Sequence, residues 1–360
     1  MTDRIISLQI LRMVAATMVV YHHGTALAQS LCNSVGILGA AHFDGIGGDG
    51  IDLFFVVSGF IITRTGPLAQ PRPTGAQFFW RRWGRVAPLF YLMTLPVMAT
   101  YGLRSPVNVF GAGGPIAPAQ IYATLFFWPS LGPVNVPPLL SNGWTLCFEM
   151  LFYTAVSMVM AGGKIRRNII FAGVLVGVLL FMRHATTWNG FQILANAIFL
   201  EFGLGILLAL VWRRLAGLHP AFGLGMIGLG TAGFVAWAFA PALGFPGFEG
   251  IMRDDGVIWR VLYVGAPAAM VVAGAITIDR YVRGPIAHLL SKLGDASYSI
   301  YLMHGLVILV LYFLWPLSGL PMLPSAMIVS VVLLSLAAGY LTFRYVEKPL
   351  SIAVRSSLPR

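Results

Sequence analysis

Ten apolar runs constrain this chain more than any other feature. About 20 apolar residues in a helix cross a hydrocarbon core of about 30 Å. Runs of that kind lie near 5–27, 49–64, 86–102, 144–161, 168–183, 191–212, 222–240, 257–278, 297–316 and 325–345, the second being the shortest. In hydrocarbon a spanning segment must bond its own backbone N–H and C=O groups. The expected fold is therefore all-α, a polytopic membrane helical bundle of about ten transmembrane helices. Only 10% of the 360 residues are charged and 58% are hydrophobic. A soluble domain averages about 25% charged. Two cysteines, Cys32 and Cys147, make no disulfide framework. Residues 1–360 read as one integral membrane domain without a visible repeat.

The basic residues set the orientation, because cytoplasmic loops are enriched in Lys and Arg. With a cytoplasmic N-terminus and ten alternating spans, 18 of the 23 Lys and Arg fall on the cytoplasmic side and 4 on the other. Arg12 lies within the first run. Both termini are thus expected in the cytoplasm, and the net charge of +11 needs no nucleic acid to explain it. A stretch around 119–128 ends among prolines and reads as a partial or interfacial helix. It belongs to a long Gly- and Pro-rich segment near 103–143 on the non-cytoplasmic side. The sequence Ala26-Leu27-Ala28 resembles a signal-cleavage site. However, Arg12, His22 and His23 interrupt the core of such a signal, so the first run reads as a retained helix.

Those three residues are costly in hydrocarbon and raise the question of a task. Arg12 and His23 are eleven residues apart. At about 100° per residue, eleven steps return to within roughly 20° of the start, and the rise is roughly 16 Å. The two share one face, while His22 points away. Either they form a polar stripe through the first span, or Arg12 snorkels to lipid phosphates and the histidines are interfacial. Glu149 and Glu201 are isolated carboxylates in the fourth and sixth runs. Each can neutralise Arg12, hold a histidine in one tautomer, or form an ion pair that fixes packing. His304 lies in the ninth run close to Tyr298 and Tyr301, as a packing histidine or a functional one.

The stretch "GIGGDG" at 45–50 satisfies G-x-G-x-x-G but lacks the strand–turn–helix context of a nucleotide site. Its glycines are expected to serve a tight turn and close helix approach. In "FFWRRWGRVAP" at 78–88, Arg81, Arg82 and Arg85 alternate with tryptophans. This is either an interfacial segment touching anionic headgroups or a clamp for phosphates, which guanidinium forks match.

In combination these motifs resemble the acyltransferase-3 family of integral membrane O-acyltransferases, in its exopolysaccharide-type branch. "LQILRMVAATMVVYHH" is similar to the family's first-helix signature, an Arg or Lys and ten residues followed by a His; Arg12 and His23 match it. "GGDGIDLFFVVSGFIIT", which contains Ser58, resembles the second signature and "FWRRWGRVAPLFY" the third. "GWTLCFEMLFY" places the family's acid at Glu149, and "LEFGLG", "LGDASYSIYLMH" and "YVEKPL" resemble later landmarks. The resemblance covers about residues 5–350.

It implies transfer of an acyl group, usually acetyl from acetyl-CoA, to a sugar hydroxyl of an exopolysaccharide, lipopolysaccharide or other envelope glycan. It also implies a bacterial inner-membrane location among lipids, and an active site of His23, Arg12 and Glu149. Ser58, Glu201, Tyr298, Tyr301 and His304 are expected to support that site, with Arg81, Arg82 and Arg85 on the acyl-CoA phosphates. No metal is expected, nor the C-terminal SGNH domain that some relatives carry. His23 acts either as general base or as a nucleophile that carries the acyl group. Two rivals remain at this stage. One is a proton-coupled transporter, which intramembrane His, Arg and Glu also suit; the other is a non-catalytic partner of a polysaccharide export system.

Overall fold

The computed structural model describes residues 4–34, 36, 47–100, 116–129, 136–161, 173, 193–239, 257–319 and 321–357, and all regular structure among them is helical. In chain order the helices are α1 (Ile6–Cys32), α2 (Gly50–Thr65), α3 (Gly75–Thr100), α4 (Pro118–Phe126), α5 (Trp144–Ala161) and α6 (Phe199–Ala216). There follow α7 (Pro220–Ala238), α8 (Ala266–Ile278), α9 (Pro285–Asp295), α10 (Ser297–Leu314), α11 (Pro324–Thr342) and α12 (Lys348–Ser357). A short helical turn Val257–Arg260 and a π-type turn Val261–Gly265 lead into α8, and a second π-type turn, Phe343–Glu347, joins α11 to α12. Proline opens α4, α7, α9 and α11, where its missing N–H costs nothing.

Five segments among the described residues are long and apolar enough to cross a membrane: Ser141–Ala161, Pro220–Ala238, Val257–Tyr281, Ser297–Leu314 and Pro324–Val354. The first, second, third and sixth expected runs are also helical, as α1, α2, α3 and α6. Helix α2 is short at 16 residues, and α6 carries Glu201, Arg213 and Arg214. The fifth run, 168–183, lies outside the described residues apart from Gly173. Helix α3 starts eleven residues before the expected run, so the whole arginine-rich segment is helical. Helices α9 and α12 were not expected. Both are short, and α9 buries Ala287, Ser291 and Gly294 while exposing Ile286 and Leu289. The expected partial helix at 119–128 is the nine-residue α4.

Helix α1 is the axis of the bundle and packs against α2, α8, α9, α10 and α11. It begins without a capping side chain of its own. Asp279, from the link after α8, accepts from Ser7 N–H at 2.8 Å, satisfying one of the open donors of that end. Arg4 ties the same end to α9 through Ser291 at 2.7 Å and Asp295 at 2.8 Å. Helices α2 and α6 cross with their backbones in contact. A Cβ on Gly205 would lie 2.1 Å from Val56 O, and one on Gly59 2.2 Å from Phe202 O. An aromatic core fills the space beside this crossing, with Phe152 stacked on Phe202 at 4.3 Å and Phe55 at 4.7 Å from Phe202.

Candidate active site

A cleft opens among α1, α2, α3, α5 and α10. Its polar lining comes from one helix face at a time. On α5 the residues Thr145, Glu149 and Tyr153 recur every fourth position and so share a stripe. Helix α3 contributes Arg82 and Arg85, α10 contributes Ser297, Tyr298 and Tyr301, α2 contributes Ser58 and α1 contributes Arg12. The remaining walls are apolar, among them Phe54, Phe55, Ile61 and Ile62.

Glu149 is held by two donors. Ser58 Oγ donates to its Oε1 at 3.1 Å, and Tyr153 OH donates to the same oxygen. These partners belong to the cleft and not to the histidines. Arg12 donates to Gln9 at 3.1 Å and lies within electrostatic reach of Arg85, Glu347 and Glu149. Glu347 is 4% exposed and accepts from Ser299 Oγ at 2.6 Å. Arg82 donates to Thr65 Oγ1 and sits over the rings of Phe78 and Tyr153. Arg81 is exposed and is not among the cleft residues. Three arginines therefore share one low-dielectric cleft, where their attraction for an anion exceeds that at a hydrated surface.

His23 does not line this cleft. It lies eleven residues along α1 from Arg12, where its ring meets His304 of α10 at 4.9 Å and His22 at 5.2 Å between centroids. Tyr301 connects the two places. It lines the cleft, and its carbonyl is 2.5 Å from His304 Nδ1. Its hydroxyl donates to Asn142 O at 2.7 Å and meets Thr145 Oγ1 at 2.9 Å, while Asn142 Nδ2 donates back to Tyr301 O at 2.9 Å. The short helical turn Ser141–Gly143 before α5 is thereby pinned to α10.

Glu201 lies elsewhere, on the opposite face of α2. There Arg260 donates to Asp52 at 2.5 Å and to Asp49 at 3.3 Å. Asp49, Asp52 and Glu201 are completely buried, and Arg260 is 4% exposed. Gly265, at the end of the π-type turn, leaves space for the Glu201 carboxyl, since a Cβ there would lie 3.0 Å from Oε1. Arg260 is one of the four basic residues that the sequence places on the non-cytoplasmic side, and in the fold it is buried against Asp49 and Asp52. The signal was present, since two acids three residues apart at the head of an apolar run need a buried cation.

The apolar helices mark a helical membrane protein whose arginine-lined cleft is joined through Tyr301 to His304 and His23. The chain belongs to the acyltransferase-3 family, whose acyltransferase domain matches residues 5–344. It is similar to the exopolysaccharide production protein ExoZ of Rhizobium meliloti (strain 1021), at 28% identity over 320 residues that cover 86% of this chain and 90% of that one. No solved structure matches it.

Proposed function

We propose that the protein is a membrane-bound O-acyltransferase that moves an acyl group, acetyl in the first instance, from cytosolic acyl-CoA to a sugar hydroxyl of an exopolysaccharide or other envelope glycan. Family membership supports the acyl transfer, and the name of the ExoZ relative supports an exopolysaccharide as acceptor. The distribution of Lys and Arg supports ten spans with both termini in the cytoplasm of a bacterial inner membrane. One observation carries the reading: Arg12, Arg82 and Arg85 share a cleft that Tyr301 joins to His304 and His23.

In this reading Arg82 and Arg85 hold the CoA phosphates at the cytosolic mouth. The pantetheine arm runs along the cleft past Arg12, and the thioester reaches the Tyr301 end, where His23 is close. His23 takes the proton of the sugar hydroxyl as the new C–O bond forms. The thioester C–S bond breaks and the thiolate recovers the proton, so the transfer needs no further reactant. A covalent acyl-histidine would divide the same transfer into two steps. Arg12 supplies positive charge for the oxyanion that develops on the carbonyl.

The reading is tested by mass spectrometry of surface glycans from cells carrying the gene, lacking it, or carrying His23→Ala at equal membrane level. Acylated sugar only with the wild-type gene supports it, and acylation that does not depend on the gene removes it. A second expectation separates the arginines. The double variant Arg82→Ala/Arg85→Ala should bind acetyl-CoA at least tenfold more weakly, given about 1.5 kcal/mol or more per lost charge-assisted hydrogen bond. Arg81→Ala should leave binding within twofold, about the effect expected for an exposed charge. Calorimetry on the purified protein decides, and the reverse ranking would move the clamp to the outer surface of α3.

A further inference from the structure

We infer that His304 is the positioning partner of His23 and that the two imidazoles work as a pair in acyl transfer. The inference rests on His23 as the base of the proposed reaction and adds a group that acts through it. Holding a histidine is one of the roles the sequence leaves open for Glu149, but its carboxylate is bonded to Ser58 and Tyr153 within the cleft. Among the described residues, His304 on α10 brings its ring against that of His23.

Both rings are oriented by backbone. His23 Nδ1 is 2.9 Å from Val19 O, one turn back on α1, and His304 Nδ1 is 2.5 Å from Tyr301 O on α10. A carbonyl oxygen only accepts, so in the neutral imidazoles both Nδ1 atoms carry the hydrogen. The lone pair of each ring is then on Nε2, the nitrogen a base uses. Backbone carbonyls of α1 and α10 favour this tautomer. The ring centroids are 4.9 Å apart and the rings are tilted by 56°.

His304 is fully buried, so water competes little for its ring. Tyr301, which aims His304, also lines the cleft and is bonded to Asn142 and Thr145. The ring that meets His23 is therefore anchored to the cleft wall. As the sugar hydroxyl gives its proton to His23 Nε2, positive charge develops on an imidazole already held in its rotamer against a second, neutral imidazole. When the thiolate takes the proton back, His304 is unchanged.

His304→Asn separates chemistry from packing, because the Asn amide N–H takes the place of Nδ1–H and keeps the bond to Tyr301 O while Nε2 is lost. Full-length protein in detergent is assayed with acetyl-CoA and the host exopolysaccharide fraction. The pair predicts a kcat lower by tenfold to a hundredfold, on the order of what misplacing a catalytic group costs. KM for acetyl-CoA and the melting temperature should be unchanged, and the double variant His23→Ala/His304→Asn should be no slower than His23→Ala alone. Wild-type kcat for His304→Asn beside an inactive His23→Ala overturns the pair and leaves the acyltransferase reading standing. A fully active His23→Ala overturns the base and the pair together. Should His304→Asn fold poorly, ¹⁵N NMR of histidine-labelled wild-type protein decides: protonated Nδ1 at both His23 and His304 supports the pair, and protonated Nε2 in either neutral ring overturns it.

Discussion

His23→Ala should reduce acyl transfer by about 10²- to 10⁴-fold, the usual contribution of a positioned general base, with acetyl-CoA affinity unchanged. The reasons are geometric. His23 is not among the cleft residues, so its removal takes nothing from the arginine end proposed to hold the donor. It is half-buried in the bundle, where its Nδ1 is tied to Val19 O. His22→Ala is the control. That ring lies beside His23, across a T-shaped contact at 5.2 Å, on a different face of α1. Its loss should cost less than tenfold. Single-turnover assays together with binding measurements separate the two effects. Loss of acetyl-CoA affinity in His23→Ala, with transfer otherwise intact, would place the residue in donor binding instead.

Arg260→Ala should unfold or strongly destabilise the protein, by about 3–5 kcal/mol, because it leaves Asp49 and Asp52 buried without their cation. The acids cannot turn to water, since both are completely buried between α2, α6 and the turn that leads into α8. Removing the acids as well should recover much of the loss. Asp49→Leu/Asp52→Leu/Arg260→Met replaces the ion pairs with apolar groups, and well-packed replacements of that kind are often close to neutral for stability. Melting in detergent, followed by fluorescence-detected size exclusion, measures both variants. If Arg260→Ala melts with the wild type, the cluster is not a strut of the fold.

Much of the site was legible in the chain because helical geometry is simple. Eleven residues place Arg12 and His23 on one face of α1, and steps of four place Thr145, Glu149 and Tyr153 on one face of α5. The existence of most helices followed from runs of apolar residues. What spacing within one helix cannot report is which helices meet. Glu149 lies opposite Ser58 and not His23, because α5 approaches α2 well before the His23 end of α1. Glu201 joins Asp52 and Arg260 instead of Arg12, because α6 crosses the back of α2 at Gly59 and Gly205. The glycine-rich stretch before α2 was rightly read as a close approach, since a Cβ on Gly50 would lie 2.4 Å from Ala15 O. The cation that meets Asp49 and Asp52, Arg260, is 211 and 208 residues away in the chain, so no spacing within one helix reports it. Helices α9 and α12, with eleven and ten residues and polar faces, fall below the length of a span and leave no apolar run in the sequence.

The central claim is that the acyl group comes from CoA on the cytosolic side and leaves on a glycan. It is tested most directly with sealed membrane vesicles of defined orientation and labelled acetyl-CoA. Inside-out vesicles, which present the cytosolic face, should label the glycan acceptor; sealed right-side-out vesicles should not, and neither should inside-out vesicles bearing His23→Ala. Equal labelling from both faces, or proton-coupled flux through the protein without turnover of acetyl-CoA, would contradict the account.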